Sequence, residues 1–167
     1  MSERPAAQKA SKSGESNAAM TRASQEVLRL IPKADGCGVA LVVGDQLVEA
    51  SRAGNIGGLD QLRLGINESM SGLAFLSGSA FRCDDTAKGP FVDHATTTRL
   101  GVGSFVSVPL RDGIRAIGIF IAASRERAAF NDRDVEILVS AAQSLEDELA
   151  PRARRIRRFA NRNHRYA

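Results

Sequence analysis

Apolar and polar positions alternate most regularly between residues 100 and 124, where two apolar runs, 104–110 and 114–122, flank Arg111-Asp112-Gly113. Asp-Gly between apolar runs is a strong hairpin signal. Pleating sends alternate side chains to opposite faces. The pattern therefore predicts one aliphatic face of Val106, Val108, Leu110, Ile117, Ile119 and Ile121. The other face is expected to carry Phe105, Ser107 and Pro109 beside Ala116, Gly118, Phe120 and Ala122. Apart from two rings these are small residues, and a roomy sheet face is a natural pocket floor. Residues 37–43 repeat the pattern, with Cys37, Val39, Leu41 and Val43 on one side and Gly38, Ala40 and Val42 on the other. Gly44-Asp45 is the turn into a partner strand over 46–53.

Helical spacing occurs at both ends. Met20, Ala23, Val27, Leu30 and Ile31 share one stripe until Pro32 stops it. Residues 132–149 carry Val135, Leu138, Val139, Ala142, Leu145 and Leu149, with Asn131 and Asp134 placed as a capping box and Phe130 as a staple onto Val135. Pro151 marks the end of that helix. Between the two hairpins, 54–65 is a glycine-rich loop without the Gly-Lys-Ser/Thr ending of a phosphate loop. A short helix over 68–77 ends at Gly78, and a short strand follows over 80–83. The irregular connection from Asp84 to Leu100, with Phe91, Asp93, His94 and three consecutive threonines, is the expected lid. Residues 1–17, polar and without an apolar period, are expected to be disordered.

Charge changes the picture only at the ends. The formal net charge of +4 divides into +2 for residues 1–23, −5 for 24–150 and +7 for 151–167. Any contact with nucleic acid or another polyanion is thus expected from the arginine-rich tail, which carries Phe159 and Tyr166 among its arginines. A solvated extension is the simpler reading. No apolar run approaches the roughly 20 residues of a membrane span, and the polar N-terminus has no secretory pattern. Two distant cysteines, Cys37 and Cys83, read as reduced thiols of a cytoplasmic protein.

In order and spacing, CGVALVV, QLVEASRAG, RLGINESMSGLAFLSG, FRCDDT, GVGSFVSVPL, GIRAIGIFIAAS and AFNDRDVEILVSAAQSLEDELA resemble a GAF domain across residues 20–150. The resemblance implies an α+β fold: a central antiparallel sheet of about five to six strands, terminal helices on one face, and a ligand pocket under loops on the other. It implies a sensing module of signalling proteins and leaves the ligand open. The thiol chemistry of GAF-like free methionine sulfoxide reductases needs a nucleophile and a resolving partner. This chain has Met70 at the matching place and no cysteine in the lid. Phytochrome-like members attach bilin through a Cys-His pair, of which only His94 is present. The dispersed cyclic-nucleotide signature is met only by Phe130 and Asp134, which the helix start already explains. A haem version would rest on His94, and a lone loop histidine is more often solvated.

The resulting expectation is a disordered segment 1–17, a GAF-like domain over 18–150 and a basic tail over 151–167. The domain is expected to be non-catalytic, to bind an unidentified small molecule, and to act as a homodimer through its terminal helices or with a signalling partner. Candidate ligand contacts are Gly38, Ala40, Met70, Phe91, His94, Thr98, Phe105, Ser107, Gly118 and Phe120. The alternative is a dimerisation module with a vestigial pocket whose tail contacts nucleic acid. The cofactor is left open, and no metal site is expected.

Overall fold

A computed structural model describes residues 4–57 and 61–150, with side chains from Ser13 onward. The elements run α1 (Arg4–Leu30), β1 (Gly36–Val43), β2 (Gln46–Gly54), β3 (Arg63–Gly65), α2 (Met70–Ser77), β4 (Phe81–Cys83), α3 (His94–Leu100), β5 (Ser104–Asp112), β6 (Arg115–Ser124) and α4 (Asp132–Leu149). The strands form one six-stranded sheet in the order β3-β2-β1-β6-β5-β4, antiparallel throughout. The α+β architecture is the one expected.

One face of the sheet is covered by α1 and α4. Met20, Val27 and Ile31 meet Leu138, Ala142 and Leu145 over Val39, Val106, Val108, Leu110 and Phe120 in a single core. The α4 start is built as the sequence predicts: Asn131 Oδ1 accepts from Asp134 N at 3.0 Å, and Asp134 Oδ2 accepts from Asn131 N at 2.9 Å. The opposite face is covered by α2, which Ser69 caps at its N-terminus and Gly78 closes in left-handed backbone, and by the segment leading through α3.

Two expectations are corrected. First, α1 begins at Arg4, so the segment assigned to disorder is helical from that residue onward. Its side chains from Ser13 to Asn17 are mostly exposed, which is why no apolar period announces it. Alanine, lysine and glutamate favour helix without any burial, and Pro5 is tolerated in a first turn. Second, β6 is inverted relative to the predicted faces. Leu110 pairs with Gly118 but Arg111 pairs with Ala116, leaving Ile117 as the extra residue of a bulge. One extra residue exchanges the two faces of everything beyond it. Phe120 and Ala122 therefore join Val106, Val108 and Leu110 under the helices. Ile119 and Ile121 belong to the clusters of the other face. The faces of β1 are as predicted, with Cys37, Val39 and Leu41 toward the helices and Ala40 and Val42 away from them. The basic tail, residues 151–167, lies outside the described residues.

Candidate functional site

Between the sheet and the α2–α3 cover lies a cavity of about 120 Å³. Its floor is Gly38 and Ala40 of β1 with Ile121 and Ala123 of β6, and Phe105 of β5 stands at one side. The pairing explains this floor, because Gly38 lies opposite Ile121 and Ala40 opposite Ile119. Ile56, Met70 and Val92 complete an apolar wall.

The lid is tied down at its root and along its length. Thr86 N donates to Gly103 O at 3.0 Å, and Thr86 Oγ1 donates to Val102 O at 2.7 Å. Asp93 caps α3, accepting from Thr96 N at 2.9 Å and Thr96 Oγ1 at 2.7 Å. Those hydrogen bonds, the backbone one foremost, hold its carboxyl below the usual value.

A charge pair edges the cavity. Glu49 and Arg52 are three residues apart, so a regular strand would send them to opposite faces. The register shift between Val39 and Ala40 leaves Ala50 over, pairing Glu49 with Ala40 and Arg52 with Gly38 on the same side. The guanidinium then bonds both carboxylate oxygens at 2.7 Å. Glu49 Oε2 also accepts from Leu62 N at 3.2 Å. Gly57, beside the Arg52 guanidinium, has φ +127, a backbone conformation that residues with a side chain rarely adopt.

Of the residues expected to touch a ligand, the structure brings Gly38, Ala40, Met70 and Phe105 to the cavity. The others are displaced for identifiable reasons. Gly118 and Phe120 lie on the helix-covered face because of the Ile117 bulge, Gly118 opposite Leu41 and Leu110 and Phe120 fully buried in that core. Ser107 is on the cavity side of the sheet, opposite Ile121 and Phe81, but is wholly buried and its hydroxyl has no partner. His94 and Thr98 are on the exposed side of α3, whose Thr96, Thr97 and Leu100 line the cavity instead. Phe91 is in left-handed backbone (φ 57) and 64% exposed, and its neighbour Val92 takes the place in the wall.

Sequence reasoning missed Ile121 and Ala123 through the inverted strand, and Glu49 with Arg52 through the second bulge. It also missed Ser71, although this residue sits beside Met70 at the start of α2 and lines the cavity. An opposite-charge pair inside an otherwise apolar hairpin was the available signal for Glu49 and Arg52.

The cysteines stand on opposite faces, Cys37 in the helix-covered core and Cys83 in the cluster with Met70 and Val92. Strands β6 and β5 separate their strands, roughly 14 Å at sheet spacing, beyond disulfide reach. Burial raises both thiol pKa values, leaving them protonated near neutrality. Among the described residues no group of three or more His, Cys, Asp or Glu side chains is placed to hold a metal. No described helix is long and apolar enough to cross a membrane.

The family model of the GAF domain matches residues 15–149. No curated protein matches the chain. Among solved structures, the fold is similar to a type II free methionine-R-sulfoxide reductase from Thermoplasma acidophilum, at TM-score 0.72 and 21% identity over 83% of this chain and 94% of that one. It is also similar to the GAF domain region of a putative membrane protein from Geobacter sulfurreducens PCA, at TM-score 0.70 and 23% identity over 85% and 97% of the two chains. A third likeness is the blue-light absorbing form of the PixJ GAF domain of Thermosynechococcus elongatus, at TM-score 0.68 and 14% identity over 94% and 97%. The neighbours thus include an enzyme as well as GAF domains.

Proposed function

The chain belongs to the GAF domain family, and from that premise we propose that it is a non-catalytic sensor that binds a small molecule in the cavity beneath α2 and α3. The observation that carries this reading is the cavity itself. It is apolar, floored by the small residues Gly38, Ala40 and Ala123, and partly roofed by a cover that is capped and anchored. A vestigial pocket would be filled by side chains. At about 120 Å³ it is smaller than the roughly 300–1,000 Å³ of sites for drug-sized ligands, so it suits a compact molecule.

A thiol enzyme of the reductase kind is disfavoured by the separation and protonation of Cys37 and Cys83. Output passes through association. A broad groove of about 680 Å³ runs along the outside of α1 and α4, between Ala23 and Leu30 on one helix and Ile137 and Ala141 on the other. We assign it to a homodimer contact.

Native mass spectrometry of protein purified from its own host tests the sensing reading. A bound small molecule is expected, and Ala123→Leu, which fills the floor, is expected to lose it. A ligand-free wild type, or a ligand retained by a folded Ala123→Leu, defeats the reading.

A further inference from the structure

The polar groups around the cavity are almost all engaged with one another. Glu49 and Arg52 pair, Asp93 and Thr96 cap α3, and Thr97 Oγ1 donates to His94 O at 3.3 Å. Ser69 Oγ donates to Gly65 O at 2.7 Å and accepts from Gly72 N at 3.0 Å. Ser51 also borders the cavity and its hydroxyl is unpartnered, but register places it opposite Val39, whose side chain packs on the helix-covered side.

Ser71 differs. It lines the cavity and is only 4% exposed, and its hydroxyl makes no hydrogen bond among the described residues. It stands in the first turn of α2, where a helix leaves backbone donors without internal acceptors. Ser69 satisfies Gly72 N, and Leu73 N bonds Ser69 O. The amides of Met70 and Ser71 have no acceptor among the described residues. One end of an apolar cavity thus offers a hydroxyl, two amide donors and the positive end of a helix dipole.

Donors without acceptors call for a ligand that brings oxygens. The dipole favours those oxygens carrying charge. The acidic groups nearby do not oppose it: Glu49 is neutralised by Arg52, and Asp93 is turned to the α3 N-terminus. Arg99 adds positive charge at the rim.

Resting on the sensing reading, we infer that the cavity takes a compact aliphatic monocarboxylate. Its carboxylate meets the Ser71 hydroxyl and the first turn of α2, and its alkyl body lies against Ile56, Met70, Val92 and Phe105. A cavity of about 150 Å³ holds one benzene ring, so this one, at about 120 Å³, suits an alkyl body of about four to five carbons. The wall beside the alkyl body is apolar and complements no second charge there.

Isovalerate and its uncharged isostere isovaleramide are the probes. By calorimetric titration the protein is expected to bind isovalerate at least about tenfold more tightly than isovaleramide, since hydrogen bonds to an ionised acceptor are roughly twice as strong. Isovalerate is expected to shift the amide resonances of Met70 and Ser71. Ser71→Ala, a helix-favouring change on an element whose cap is untouched, is expected to weaken isovalerate about tenfold without lowering the melting temperature of the free protein. Equal affinity for the two probes, or wild-type affinity in Ser71→Ala, overturns the carboxylate inference while leaving cavity binding standing. Binding of neither probe also overturns it, and the sensing reading is then judged separately by the native mass spectra.

Discussion

Gly118 shows how one residue can be read correctly as special and wrongly as to why. A Cβ there would lie 2.2 Å from Ala40 O and 3.0 Å from Leu41 Cα, so the glycine lets β1 and β6 approach and does not make room for a ligand. Gly118→Ala is expected to cost about 1–3 kcal/mol in chemical denaturation. A loss under about half a kilocalorie would mean the strands part freely. Asp93 gives a second test. A carboxyl whose folded pKa is depressed contributes stability that is fully present above its unfolded value, near 3.9, and is lost as pH falls through the folded value. Its α3 cap is thus expected to weaken in acid, below about pH 4. Asn is an equally good cap without a titrating proton. Asp93→Asn should therefore flatten the acid limb of hydrogen-exchange protection across residues 94–100, and an unchanged limb would assign the acid sensitivity elsewhere.

At the scale of elements, the strands, the α4 capping box and the Gly78 stop of α2 were legible because each rests on local pattern. The two bulges were not, because nothing in alternation records which residue a neighbouring strand will skip. Ile117 is the sharper case. The ladder from Ser104↔Ser124 to Leu110↔Gly118 and the pair Arg111↔Ala116 become continuous if Ile117 is removed. Deleting Ile117 is therefore expected to preserve the cross-strand contact of Leu110 with Gly118, seen by NMR, at a cost of about 1–3 kcal/mol from lost packing. Deleting Ile119, which has no such slack, is expected to abolish folding. Equal damage from both would show that the bulge is not what sets the faces.

For the whole molecule, the division into a helix-covered face and a cavity face was legible from the small residues of β1, whereas the length of α1 was not. The mostly exposed stretch from Ser13 to Asn17 leaves no apolar signature, and the packed part of α1 lies between Ala19 and Ile31. The proposed homodimer is tested by sedimentation, where a monomer at high micromolar concentration would remove it. The Arg22–Glu148 pair, 2.5 Å apart but 61% and 47% exposed at its side chains, contributes little. Arg22→Ala should change monomer stability by less than about 1 kcal/mol.

The placement of the cysteines on opposite faces makes them two independent clocks. Neither Cys37 nor Cys83 meets solvent in the closed molecule, so a thiol reagent modifies each only as often as its own cover swings away. Cys37 waits for α1, beneath which it is buried with Val27 and Ile31. Cys83 waits for the loop at Gly89 and Val92, whose release is a smaller, local event. Labelling followed by mass is expected to run faster at Cys83. An occupied cavity should slow that clock and leave the other at its own rate.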